Sequence, residues 1–165
     1  MEADDAPLRF VADDMLGKLA RWLRILGCDT AYHATISDAE LLAVAARETR
    51  TLLTRDTSLL KRRAVGPHLL IRFDAPRKQL RQVVEEFGLD TEQLLFSRCL
   101  ICNDPVVRVD KQKVAGKVPE YTYATQEAFS RCPRCGRIYW AGTHHQRARQ
   151  WLIDMRGEDA EQPEG

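Results

Sequence analysis

Several things are missing from this 165-residue chain, and each absence narrows its class. No stretch approaches the roughly 20 consecutive apolar residues of a membrane-spanning helix. The opening segment, MEADDAPLRF, is acidic and carries no apolar h-region, so it does not read as a signal peptide, and a cytoplasmic protein is expected. No internal repeat is visible. Net charge is nearly absent too, at +1. The length fits one ordinary domain or a small domain with a satellite, and an apolar fraction of 44% is enough for a true core.

The near-zero total hides a strong asymmetry. Residues 1–14 hold five acids against one base, and residues 154–165 repeat that ratio. Between Arg47 and Arg81 the balance reverses, with ten Lys or Arg and three acids. Such a basic middle attracts polyanions, although charge alone fits a solvated helix surface equally well. Arg55, Lys61, Arg62 and Arg63 are the candidate contacts to a polyanion within it.

Strands and helices alternate through the first half. Residues 8–12 (LRFVA), 30–34, 51–54 (TLLT) and 68–73 (HLLIRF) read as strands. Residues 15–27 carry apolar side chains at helical spacing up to Gly27. Ser37 and Glu40 have the spacing of a capping box before a second helix, and Pro76 opens a third that Gly88 closes. The strands are continuously apolar, as in a parallel sheet covered on both faces. In such sheets reactive groups gather beyond the carboxyl ends of the strands. Asp13 and Asp56 follow strands there, and Asp38 lies in the turn after the second strand.

Three carboxylates at one rim suit hard, oxygen-loving cations such as Mg²⁺ or Mn²⁺. A cation there would relieve the mutual repulsion, activate water and stabilise charge on a phosphate, the chemistry of a nuclease or phosphatase. Simpler roles compete. Asp38 and Asp14 could each complement a helix dipole, and Glu40 fits the capping box. Arg55 could pair with an acid or grip a phosphate.

Of five cysteines, four form two tight pairs, Cys99–Cys102 and Cys132–Cys135, separated by 29 residues. Two CxxC knuckles at this spacing predict a closed tetrahedral Zn²⁺ site with a structural role, and Gly136 directly follows the second knuckle. Cys28 is left over and reads as a small apolar residue. Near the knuckles, Tyr121, Tyr123, Tyr139 and Trp140 offer either stacking faces for bases or a small core. Lys111, Lys113, Arg134 and Arg137 could reach phosphates, and His144 and His145 read as an exposed pair at the last helix.

These residues carry a family resemblance. FVADDMLGKLARWLRILGCDTAYH, then SDAEL, then RTLLTRDTSLLKRR resemble the ribonuclease domain named after the C-terminal part of the Mut-seven exonuclease, within the PIN-like nuclease fold. CLICND and CPRCGRIYWAGTHH resemble the zinc ribbon that commonly follows it. The likeness spans roughly residues 8 to 147. It implies a three-layer α/β/α sandwich with a parallel sheet, followed by a small zinc ribbon, and metal-dependent cleavage of RNA. Asp13, Asp38 and Asp56 match the family's acidic positions, and Asp14 falls where the family varies. The expected organisation is a PIN-like domain over 8–92, a ribbon with a terminal helix over 97–153, and a disordered acidic tail over 154–165.

Two other functions fit parts of the chain. An RNA-binding protein on the same fold would hold RNA without cutting it, and retention of the three aspartates argues against that. A receiver-type phosphoacceptor also places acids after strands one and three. It needs a fifth strand with a lysine just after it, and HLLIRF instead runs into Asp74-Ala75-Pro76.

Overall fold

The computed structural model describes residues 8–161, with side chains through residue 157. It resolves two compact units that divide between Phe96 and Ser97. In the first, β1 (Arg9–Ala12), β2 (Asp29–Tyr32), β3 (Thr51–Thr54) and β4 (His68–Leu70) form a parallel sheet in the order β2-β1-β3-β4. Between them run α1 (Gly17–Ile25) and α2 (Asp38–Arg47), and α3 (Pro76–Phe87) follows β4.

Strand periodicity assigns the layers. Phe10 and Val11 are both fully buried, and as neighbours on a strand they point to opposite faces. Val11 and its register partner Leu52 pack with Leu41, Leu42 and Val44 of α2. Phe10 instead meets Phe87 of α3, ring centroids 5.2 Å apart, and α3 packs against α1. The sheet therefore lies between α2 on one side and α1 with α3 on the other. Right-handed crossovers require this, because the chain steps outward from β1 to β2 and then back across to β3. That reversal makes the carboxyl ends of β1 and β3 the switch point of the sheet, where such folds bind ligands.

The entry to α1 is more elaborate than the periodicity predicts. A 3-10 turn, Asp14–Leu16, precedes the helix, with Asp13 as its cap. The Tyr32 hydroxyl donates to the Asp14 carbonyl at 2.7 Å, and a Cβ on Gly17 would meet that hydroxyl at 2.9 Å. Any side chain there would push the Tyr32 hydroxyl off that bond. At α2, the Ser37 Oγ accepts from the Glu40 N–H, as the capping-box spacing predicts.

β4 ends at Leu70, three residues short of the expected strand. The Ile71 N–H still reaches the Thr54 carbonyl on β3, so the Leu70 carbonyl and Arg72 N–H face away from the sheet. Both are taken by one side chain: the Gln82 amide donates to Leu70 O at 2.8 Å and accepts from Arg72 N–H at 3.0 Å. Gln79, one turn earlier, donates to the carbonyls of Phe73 and Asp74. Helical amides thus occupy the place of a fifth strand, and the segment leading to Asp74 is pinned to α3.

The second unit holds β5 (Val107–Val109), β6 (Phe129–Arg131) and β7 (Ile138–Tyr139) in an antiparallel sheet of that order, with the short α4 (Glu120–Thr125) and the terminal α5 (Thr143–Glu161). The tail expected from residue 154 corrects to helix as far as Glu161. Ala148, Leu152 and Met155 form a buried stripe at helical spacing, which carries α5 past Asp154, and Gln150 bonds Asp154 across one turn. The rest of the expected tail, 162–165, lies outside the described residues. Among the described residues no helix is long and apolar enough to cross a membrane.

Candidate active site and metal centre

Asp13 directly follows β1, and its own N–H bonds the Leu53 carbonyl at 3.0 Å, extending the β1–β3 ladder by one rung. The side chain is only 5% exposed. A carboxylate so buried needs donors, and it has one on each oxygen. Oδ1 accepts from the Asp14 N–H and Oδ2 from the Thr54 hydroxyl, both at 2.7 Å. Thr54, the last residue of β3, is fully buried, and its Oγ also accepts from the Asp56 N–H at 3.0 Å. Asp56 in turn accepts through Oδ1 from the N–H groups of Ser58 and Leu59. A continuous hydrogen-bonded chain therefore joins Asp13 to Thr54 and Asp56 at the switch point.

Asp38 stands apart from that chain. It is the first residue of α2, half exposed, and its Oδ2 lies 3.5 Å from an Arg62 nitrogen. Asp13, Asp38 and Asp56 are not gathered into one group; among the described residues only the cysteines are clustered to hold a metal. Asp14 is exposed, as is the run Lys61, Arg62 and Arg63. Arg55 is ion-paired with Asp74 at 2.7 Å, while its other terminal nitrogen, Nη1, is buried with no partner among the described residues.

The four thiols are brought within 4.8 Å of one another. Cys99 and Cys135 lie 3.7 Å apart, close to the roughly 3.8 Å between sulfurs of a zinc tetrahedron with bonds of about 2.3 Å. The two knuckles repeat one backbone pattern. The N–H of the residue after each pair returns to the first cysteine's carbonyl, Asn103 to Cys99 and Gly136 to Cys132, each at 2.9 Å. Both residues sit at positive φ, 69° and 79°. Asparagine and glycine are the residues that tolerate this conformation. The N–H of each first cysteine bonds five residues on, to the carbonyls of Asp104 and Arg137.

The thiols are tuned individually. Burial pushes Cys99 up, but hydrogen bonds from the Tyr139 hydroxyl and from the Cys102 and Ile101 N–H groups outweigh it, bringing the thiol down to about 7. Burial, hydrogen bonds with Cys135 and Cys132 and the charge on Cys99 push Cys102 up to about 12. Burial and the bond to Cys99 raise the Tyr139 phenol above its ordinary value, so Tyr139 is the donor in the 3.0 Å contact with the sulfur. These residues fit a zinc ion.

Neighbouring groups are more occupied than their types imply. Tyr139 supports a cysteine, and Trp140 packs near Phe129, centroids 6.3 Å apart. Lys111 pairs with Glu127 and lies over the Tyr123 ring, and Arg134 pairs with Asp104. Tyr121 is left 80% exposed. His144 is exposed, whereas His145 is partly buried, and burial with the Arg149 charge lowers its pKa. Sequence reasoning missed Thr54 and Asp74. It also missed Asn103, although a residue suited to positive φ follows both knuckles.

No curated protein and no solved structure matches the chain. Among protein families, residues 8–152 match the Mut7-C RNAse domain. That match covers both the parallel sheet with its aspartate-bearing rim and the four-cysteine cluster, and the chain belongs to the Mut7-C RNAse domain family.

Proposed function

We propose that the protein is a metal-dependent ribonuclease that hydrolyses RNA phosphodiester bonds at the switch point of the parallel sheet. The observation that carries this reading is the chain Asp13–Thr54–Asp56, two carboxylates held at the ends of β1 and β3 in a member of a ribonuclease family. Asp13, Asp38 and Asp56 are assigned as ligands of Mg²⁺ or Mn²⁺. Each offers carboxylate oxygens to a hard cation, and Asp38 would have to leave Arg62 to join the other two. When bound, such a cation would activate water and stabilise the charge that develops on the scissile phosphate.

The chain's own residues would divide the remaining work. Thr54 fixes the orientation of Asp13, and the N–H groups of Ser58 and Leu59 hold Asp56. Arg55, Lys61, Arg62 and Arg63 would bind the RNA backbone. Residues 8–92 form the nuclease domain in this reading, and residues 97–153 a ribbon that holds structural zinc and aids RNA binding, in a cytoplasmic protein. The Asp38–Arg62 contact favours a second reading, an RNA-binding protein that does not cut. One experiment separates them: labelled single- and double-stranded RNA incubated with and without Mn²⁺. Cleavage that needs the metal and is nearly abolished by Asp13→Asn supports the nuclease. Full cleavage by Asp13→Asn removes the assigned site, and retention of RNA without cleavage leaves the binding protein.

A further inference from the structure

We propose that Asp74 is a built-in competitor for Arg55, its carboxylate holding in the free protein the guanidinium edge that takes a phosphate oxygen of bound RNA. The inference rests on the reading above for the identity of the ligand, though not for its cleavage. Two arginines of the same unit show what is unusual. Arg50 is 6% exposed, and its guanidinium bonds Glu48, Asp29 and the Phe10 carbonyl. That is an arginine whose donors are spent on the fold. Arg55 lies between Thr54 and Asp56 at the candidate site, yet among the described residues it has one ionic partner, Asp74, and a buried Nη1 with none. The Asp74 contact is made at Nη2, so a competing acceptor has that one ionic contact to displace.

The partner is suited to displacement. The Asp74 side chain is 94% exposed, so releasing it into water meets little resistance. Its backbone is nevertheless fixed, because the Gln79 amide bonds the carbonyls of both Phe73 and Asp74. The carboxylate is therefore kept within reach of Arg55 without being buried beside it. A phosphate offers a guanidinium the same paired oxygens as a carboxylate and adds further acceptors. The same chemistry is found in an internal phosphodiester and in a terminal phosphate, and the position of Arg55 beside the assigned carboxylates selects the internal phosphodiester.

The test is binding of a 2′-O-methyl oligonucleotide, which resists hydrolysis, to the full chain without added Mg²⁺ or Mn²⁺. Asp74→Asn should tighten binding about two- to fivefold, the range spanned by an exposed ion pair. Arg55→Ala should weaken binding and reduce the salt slope by about 0.7, one phosphate contact on a single strand. In the Arg55→Ala background, Asp74→Asn should do nothing further. Equal tightening with and without Arg55 would show only the removal of a negative charge and would overturn the proposal, as would unchanged affinity in Asp74→Asn. Oligonucleotides with a 5′-phosphate and a 5′-hydroxyl should respond alike; a response confined to the phosphorylated one would overturn the assignment to an internal phosphodiester. A positive cycle in a protein that never cleaves RNA would refute the nuclease reading and leave this one standing.

Discussion

Replacing Thr54 by valine keeps the shape of the side chain and deletes one oxygen. That oxygen donates to Asp13 at 2.7 Å and accepts from the Asp56 N–H at 3.0 Å, in a residue with no solvent exposure. Loss of a hydrogen bond to a charged group costs about 1.5–3 kcal/mol, and leaving the Asp56 N–H unpaired adds roughly 1 kcal/mol. Part is recovered if Asp13 turns towards water, so a net loss of about 2–4 kcal/mol is expected. For a unit of this size that lowers the melting temperature by roughly 10–20 °C. Thr54→Ser is the control, since it retains the hydroxyl and gives up one methyl group, about 1 kcal/mol. Melting followed by circular dichroism reads the stability, and Mn²⁺-dependent cleavage of labelled RNA below the transition reads the site. Thr54→Val should cut cleavage at least about tenfold, the equivalent of about 1.4 kcal/mol in the barrier, while Thr54→Ser retains most of it. A valine variant that melts within about 2 °C of the parent and cleaves at full rate would show that the Asp13–Thr54–Asp56 chain neither stabilises the rim nor orients its carboxylates.

Asp14→Asn should leave most cleavage intact where Asp13→Asn removes it, because Asp14 is exposed and its N–H, not its carboxylate, serves Asp13; equal losses in the two variants would contradict the assignment. Elemental analysis should find one zinc per chain, and Cys99→Ser should lose both the metal and the unfolding transition of the second unit, since structural zinc contributes on the order of 10 kcal/mol to such modules. Zinc needs thiolates, and Cys99 sits at about 7 in the metal-free protein while Cys102 is pushed up, so zinc affinity should fall with falling pH and fall more steeply below about 7; an affinity independent of pH from 8 to 6 (values about one unit either side) would refute the coupling. Replacing Lys61, Arg62 and Arg63 by Ala should weaken RNA binding and flatten its salt dependence by about 0.7 for each phosphate no longer neutralised. An unchanged slope would place the RNA-binding surface elsewhere.

How far the fold could be read ahead of its coordinates depended on which interactions are local. β1 and β3 are short apolar runs ended by polar residues, and both lie where the pattern puts them. HLLIRF has the same pattern, yet its last three residues are not strand, because its partner β3 ends at Thr54, opposite Leu70, and glutamines on a helix later in the chain take the outward bonds of the Leu70–Arg72 segment. Periodicity carries no trace of such a pairing. The same limit applies at the rim. Asp13 and Asp56 are recognisable as acids after strands, whereas the threonine joining them looks like any β-branched residue at a strand end. Arg55 was legible as a cation with two possible partners, but only the spatial structure shows Asp74 across from it. The cysteine knuckles were the most legible feature, since each closes within a few residues and the two need only meet. The sequence allows Asp38 two roles, metal ligand or helix-dipole acid, and its contact with Arg62 adds a partner without removing either.

The Gln82 amide at the end of β4 has a bearing on how the protein behaves in crowded solution. An open parallel sheet ends in strands whose outward N–H and C=O groups can template a strand from another molecule, the first step towards aggregation. On the β4 side, the Leu70 carbonyl and Arg72 N–H are among the groups an arriving strand would use, and one glutamine side chain has taken both. The carboxyl end of that edge is thus closed by a single residue. An arriving chain could extend past Leu70 only by breaking two bonds and dislodging a mostly buried side chain from α3. Gln82 acts there as a one-residue strand, closing that end of the edge without lengthening the sheet.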